Sequence, residues 1–211
     1  MRQQRDMFDE APRVLIGCEY SGTVRRAFTA LGYDAWSCDL LPSEDGSNHH
    51  ITGDVRDHIN EGWDLMMIAH PPCTRLCNSG VRWLHTPPPG RELADMWREL
   101  DEGAELFSTL WNAPIERIAI ENPVMHKHAK ERITNYQPFA QSVQPWEYGH
   151  GETKRTCLWL KNLPALTPTN IVEGRTARVH LASPGPDRWK ERSRFFSGIA
   201  DAMADQWGKL L

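Results

Sequence analysis

The sequence predicts an α/β fold built on a mostly parallel sheet with helices on both faces. Three observations lead there. Short apolar runs recur along the chain, stretches with helical spacing stand between them, and acidic or thiol-bearing residues gather where the runs end. Strands that alternate with helices pair in parallel. Such sheets bind ligands outside the carboxyl ends of their strands.

Arg13 to Cys18 (RVLIGC) is an apolar run after Pro12 and reads as a buried first strand. After Gly22, residues Val24, Ala27, Phe28 and Leu31 repeat at helical spacing, and Gly32 supplies a stop. Tyr33 to Cys38 predicts a second strand, ending at Asp39. The stretch from Leu41 to His50 is polar and turn-rich, and a third short strand is expected to end near Gly53-Asp54. DLMMIA, from Asp64 to Ala69, is a fourth buried strand, followed at once by His70-Pro71-Pro72-Cys73. Residues 74–90 read as loop, because they hold Asn78-Ser79-Gly80 and Pro87-Pro88-Pro89-Gly90. Arg91 to Trp111 is a long helical pattern with Leu93, Met96, Trp97, Leu100, Ala104 and Phe107 on one side. Glu116 to Ile120 predicts a fifth strand, ending at Glu121-Asn122-Pro123. Residues 124–150 show no clear period. Thr156 to Leu160 (TCLWL) predicts another strand, residues 161–192 are loop-rich, and Phe195 to Leu211 predicts a closing amphipathic helix.

A chain of 211 residues can bury a substantial core, and 40% hydrophobic with 25% charged residues is a globular composition. The whole chain, 1–211, is expected to form one catalytic domain, with 161–196 as a short loop-rich insert. There is no run long enough to span a bilayer, and no apolar stretch follows the charged N-terminus. A cytoplasmic protein with no membrane partner is therefore expected. The net charge of -4 argues against a tight nucleic-acid binder. Yet Arg175 to Arg194 holds six Lys/Arg against two acids, so a local basic surface stays open beside the plainer reading of a solvated loop. The five cysteines are odd in number and scattered, which speaks against a disulfide framework. Cys73 and Cys77 form a CxxxC with His70 nearby. No CxxC and no second ligand pair exist, so no metal site is expected.

Candidate functional residues stand at the predicted strand ends. Gly17-Cys18-Glu19-Tyr20-Ser21-Gly22 links the first strand to the first helix. Its small residues (Gly17, Ser21, Gly22) allow a ligand close to the backbone, the helix start adds a positive dipole end, and Glu19 suits an ammonium group. The plainer alternative is an ordinary turn. Asp39 is placed to accept from ribose hydroxyls, and Asp54 from an adenine amino group; each is otherwise a turn aspartate. Neither GxGxxG nor a GK[ST] triplet occurs. Adenosine recognition without a phosphate cradle fits S-adenosyl-L-methionine, whose charge is a sulfonium. Pro71 and Pro72 stiffen the turn before Cys73, which makes that thiol a nucleophile candidate if a helix start or a cation gives it thiolate character. Glu121 can serve as acid or hydrogen-bond partner, although Asn122 before a proline also reads as a helix cap.

Taken in order, these pieces resemble the cytosine-C5 DNA methyltransferases, in a short version of the kind carried by bacteriophages. Pro72-Cys73 resembles that family's Pro-Cys nucleophile motif, Cys77-Asn78-Ser79-Gly80 its catalytic loop, and Glu121-Asn122-Pro123 its Glu-Asn-Val motif. Thr153-Lys154-Arg155-Thr156 is a looser match to its basic motif, and Ser197-Gly198-Ile199-Ala200 to its closing motif. The resemblance implies a Rossmann-like S-adenosylmethionine-dependent methyltransferase fold. It also implies methyl transfer to C5 of cytosine in DNA. Cys73 would add to C6, Glu121 would hold N3, and Arg155 would contact the base carbonyl or orient Glu121. Extrusion of the target base from the stack comes with it. Three departures stand out: Glu19 where the family has glycine, Thr74 where it has glutamine, and about 36 positions, 161–196, where it has a whole recognition domain. The substrate therefore stays open between duplex DNA, a single strand and a free nucleotide. A non-catalytic binding role on the same fold also stays open.

Overall fold

The computed structural model describes residues 11–69, 71–181, 185 and 194–211. Seven strands form one sheet: β1 (Arg13–Gly17), β2 (Asp34–Asp39), β3 (His50–Thr52), β4 (Leu65–Ile68), β5 (Arg117–Asn122), β6 (Gln141–Val143) and β7 (Thr156–Lys161). Their spatial order is β3-β2-β1-β4-β5-β7-β6. β1 to β5 run parallel, and β7 lies antiparallel between β5 and β6. The helices are α1 (Thr23–Ala30), α2 (Leu93–Trp111), α3 (Lys127–Arg132), the single turn α4 (Arg178–Leu181) and α5 (Ser197–Gly208). This is a Rossmann-like α/β fold, as the alternation of strands and helices predicts.

Strand alternation builds two cores. Val14, Ile16, Leu65 and Met67 point to one face, where Val24 and Phe28 of α1 meet Ile199, Met203 and Trp207 of α5. Leu15, Met66, Ile68, Ile118 and Ile120 point to the other, against Leu100, Phe107 and Leu110 of α2 and Ala129 of α3. β4 is buried along its whole length on both faces, which is why LMMI reads as an unbroken apolar run.

Strand limits agree with expectation to within a residue or two. β5 takes in Glu121 and Asn122, the residues at which the sequence expects the fifth strand to end. The third strand ends at Thr52, next to the expected Gly53-Asp54. Residues 124–150, which show no period, hold α3, β6 and a one-turn 3-10 helix (Pro145–Glu147). These pieces are three to six residues long, too short to display a repeat. No helix of the described residues is long and apolar enough to cross a membrane.

Candidate active site

The strand order reverses between β1 and β4, which opens a crevice at their carboxyl ends. A cleft of about 690 Å³ lies there, lined by Cys18, Tyr20, Asp39, Asp54, Val55 and Pro72 on one side and by α2 on the other. Five acids line it (Asp39, Asp54, Glu99, Glu102, Glu105) against two arginines, Arg56 and Arg75. That balance favours a cationic guest over a phosphate.

The β1–α1 turn divides its residues between cleft and interior. Cys18, in a left-handed conformation (φ 55), faces the cleft with Tyr20. Glu19 turns inward and is fully buried. Its carboxylate accepts from the amides of Val24 at 2.7 Å and Arg25 at 3.2 Å, so it caps α1. Burial pushes its pKa up, and those two amides oppose the push. The expected ammonium contact is thus corrected: Glu19 occupies the helix-start donors itself and does not line the cleft. Ser21 is buried beside it, 3.2 Å from the Thr23 hydroxyl. Gly22 is the N-cap of α1 at φ 67, a conformation that strains any residue with a Cβ. Gly17 ends β1 against Val55 and Ile68. None of these three reaches the cleft wall.

Asp39 and Asp54 do line it. Asp39 accepts from the Leu41 amide at 2.9 Å, and burial lifts its pKa above the ordinary carboxylate value. Asp54 caps the 3-10 turn Val55–Asp57 and is clasped by the Arg56 guanidinium, which holds its pKa down. Pro71 is buried, and the proline on the cleft wall is Pro72. His70 lies outside the described residues.

Beyond Pro72 the chain makes one tight turn that carries two thiols. Leu76 and Cys77 both donate their amides to the Cys73 carbonyl at 3.0 Å. The segment after β5 laces this turn in place: the Asn78 amide bonds the Val124 carbonyl at 2.9 Å and the His126 amide the Leu76 carbonyl at 3.1 Å. Arg75 reaches α2 through Glu99 at 2.7 Å. Adjacent strand ends and this lacing bring Cys73 within electrostatic reach of Glu121. At Gly80 an added Cβ would fall 1.8 Å from the Thr74 carbonyl oxygen, so the turn closes only over glycine. Gly80→Ala is expected to cost about 1–3 kcal/mol of stability, read by urea denaturation. A variant with wild-type stability would show that the turn does not pack this way.

Glu121 keeps 6% of its surface and faces the charge of Lys154. Burial pushes its pKa up to about 7, and the Lys154 ammonium pulls the other way. Lys154 also acts on Cys73, and its ammonium donates to the Arg194 carbonyl at 3.4 Å. Arg155, expected in this role, instead stands exposed with its guanidinium 5.8 Å from the Phe139 ring centre. The correction follows from strand alternation. Arg155 and Cys157 lie on the α2/α3 face of the sheet, whereas Lys154 leads toward the other face. A two-residue period read through KRTCL could have found it.

Asn122 does not cap a helix, since α3 starts at Lys127 with His126 as its cap. Its buried amide meets no hydrogen-bond partner among the described residues. Of the two activators expected for Cys73, a helix start or a cation, the cation is Lys154. The Cys73 pKa is raised, first by the hydrogen bond to Cys77, then by burial and by the Glu121 charge. Of the basic stretch 175–194, Arg175 stacks 3.9 Å from the Trp146 ring centre and Arg178 pairs with Glu152 at 2.9 Å. Arg194 pairs with Glu44 at 2.5 Å, and most of the rest lies outside the described residues.

The chain matches no protein-family model, and no curated protein is similar to it. Among solved structures it is similar to a protein named "putative DNA modification methyltransferase", encoded within an E. coli prophage. That similarity has a TM-score of 0.47 and 12% identity, and covers 77% of this chain and 52% of the other. It is also similar to the Entamoeba histolytica methyltransferase EhMeth, at a TM-score of 0.47 and 12% identity, covering 84% of this chain and 61% of the other. The chain thus spans between about half and three fifths of the length of these structures.

Proposed function

We propose that the protein transfers a methyl group from S-adenosyl-L-methionine to C5 of cytosine in DNA, through a covalent bond between Cys73 and C6. The carrying observation is that Cys73, flanked by the cleft-lining Pro72 and Thr74, lies within electrostatic reach of Glu121 and Lys154. The cofactor supplies an electrophilic methyl on a sulfonium. The cleft suits it in three respects: size, a surplus of acids for its positive charge, and the half-buried Asp39 carboxylate as an acceptor for ribose hydroxyls.

C5 of cytosine is a weak nucleophile, and covalent addition at C6 activates it. Cys73 forms the S–C6 bond. The displaced ring electrons run to N3, where Glu121 delivers its proton. A carboxyl group whose pKa sits at about 7 carries that proton near neutral pH, which an ordinary glutamate does not. C5 then takes up the methyl and loses its proton to water, the S–C6 bond breaks to restore the ring, and the N3 proton returns to Glu121. Lys154 tempers the negative charge that Glu121 leaves behind.

Labelled cofactor, offered with duplex DNA, single-stranded DNA and dCMP in parallel and followed by nucleoside mass spectrometry, tests the reading. Label in 5-methylcytosine is expected, and the three arms identify the substrate form. Label in N4-methylcytosine or N6-methyladenine would overturn the C5 chemistry. Absence of cofactor binding by calorimetry would favour a non-catalytic binding role.

A further inference from the structure

The segment after β5 grips the thiol turn at several points, and one residue supplies two of them. Leu76 and Cys77 both donate to the Cys73 carbonyl at 3.0 Å, which closes a single turn. The carbonyls of Arg75 and Leu76, at the end of that turn, find their donors in His126. Its backbone amide bonds the Leu76 carbonyl at 3.1 Å, and its ring Nε2 bonds the Arg75 carbonyl at 2.6 Å. On the other edge of the ring, Nδ1 accepts from the Ala129 amide at 3.1 Å and so caps α3. A carbonyl only accepts and an amide N–H only donates, so the ring is neutral and carries its proton on Nε2. It is 5% exposed, and burial, which lowers its pKa, favours the same form. Arg75 is also held through its guanidinium, which pairs with Glu99 of α2 at 2.7 Å. Cys77 bridges to Met125, and the Asn78 amide reaches the Val124 carbonyl at 2.9 Å. Among the described residues, the contact made by the His126 ring lies nearest along the chain to Cys73 of all those between the two segments.

We propose that His126 is a positioning residue for the nucleophile: its imidazole is a strut that ties the Cys73 turn, through the Arg75 carbonyl, to the start of α3. This rests on the reading of Cys73 as nucleophile. The strut makes no bond to substrate and moves no proton. It fixes the direction in which the turn leaves Pro72, and with it the place of the Cys73 sulfur relative to Glu121. That place must be kept closely, since a displacement of about 1 Å at a reacting atom costs about a hundredfold in rate. One ring serves two element ends at once, a carbonyl of the turn and an amide of α3 that have no partner within their own element. A residue whose only task was to cap α3 would need the Nδ1 position alone, and asparagine supplies that. The bond from Nε2 is what histidine adds, and it goes to the turn that carries the thiol.

The two ring nitrogens can be tested apart. Asparagine hangs its oxygen where Nδ1 stands, but its side chain ends short of Arg75. Glutamine carries its amide nitrogen where Nε2 stands and offers nothing at the place of Nδ1. His126→Asn is therefore expected to keep the cap and lose the strut, and His126→Gln to do the reverse. Hydrogen exchange of the Leu76 and Cys77 amides needs no turnover. It is expected to quicken about tenfold or more in His126→Asn and to stay near wild type in His126→Gln. With labelled cofactor and DNA, kcat is expected to fall about tenfold to a hundredfold in His126→Asn, with KM for DNA nearly unchanged, and glutamine is expected to rescue most of that loss. Circular dichroism and urea denaturation report folding and stability. Losses of kcat that simply follow the loss of stability in both variants would mark a merely structural residue and overturn the proposal. So would a folded His126→Asn with wild-type exchange and kcat, whatever glutamine does. Nitrogen NMR of the wild type checks the strut without any substitution: a proton on Nδ1 in place of Nε2 overturns it. Quickened exchange in a protein that never transfers methyl groups upholds the strut and overturns the methyltransferase reading instead. Methyl transfer surviving in Cys73→Ala overturns the nucleophile and the positioning role together.

Discussion

Cys73→Ser is expected to lower methyl transfer by about a thousandfold or more while leaving cofactor affinity essentially unchanged. The hydroxyl is nearly the same size as the thiol but far less acidic, so it is a far weaker nucleophile at neutral pH. Cofactor affinity persists because Cys18, Tyr20, Asp39 and Asp54 line the cleft and Cys73 does not. Turnover with labelled cofactor and calorimetric binding separate the two effects. Wild type should also form a stable adduct with DNA containing 5-fluorocytosine, since fluorine cannot leave as the C5 proton does, and Cys73→Ser should not. If Cys73→Ser turns over normally and Cys77→Ser is dead, the nucleophile is Cys77.

Glu121→Gln should separate function from stability in opposite directions. Glutamine cannot deliver a proton to N3, so kcat falls by about 10²- to 10⁴-fold. Stability moves the other way above neutral pH. Glu121 titrates near 4.5 when unfolded and at about 7 when folded. Between those values the native state binds more protons than the unfolded state, so the stability supplied by the neutral carboxyl is present below pH 4.5 and is lost as pH rises through 7. At about pH 8 the variant should be more stable than wild type by about 1–3 kcal/mol, and near pH 4 the two should coincide. Urea titrations at both pH values measure this. Equal stability of the two proteins at both would show that Glu121 carries no such shift. Retaining a glutamate there at a cost in stability is what a catalytic demand predicts.

How far the sequence could be read depended on the length of each signal. The unbroken apolar run of β4 and the long amphipathic pattern of α2 are legible because they repeat. α3, β6 and the 3-10 turn at Pro145 are not, because each is shorter than one clear period. Cys73 and Glu121 stand out as candidates because a chemically distinctive residue follows an apolar run. Glu19 was misread for a related reason: a carboxylate beside a helix start looks the same in sequence whether it greets a ligand or caps the helix. Only the direction of its side chain, settled by the Val24 and Arg25 amides, distinguishes the two.

The sequence by itself determined the α/β architecture, the strand ends at which polar groups collect, and the chemical types gathered there. These follow from hydrophobic periodicity and residue chemistry, which are local. Tertiary structure alone decided that the charge of Lys154 and not of Arg155 acts on Glu121, that Cys73 and Cys77 lie together on one turn, and that Glu19 is withdrawn from the cleft. Each of these depends on which face of a strand or turn a side chain takes and on what packs against it. That information arises only when β4, β5 and β7 lie side by side and the residues after β5 close over the thiol turn.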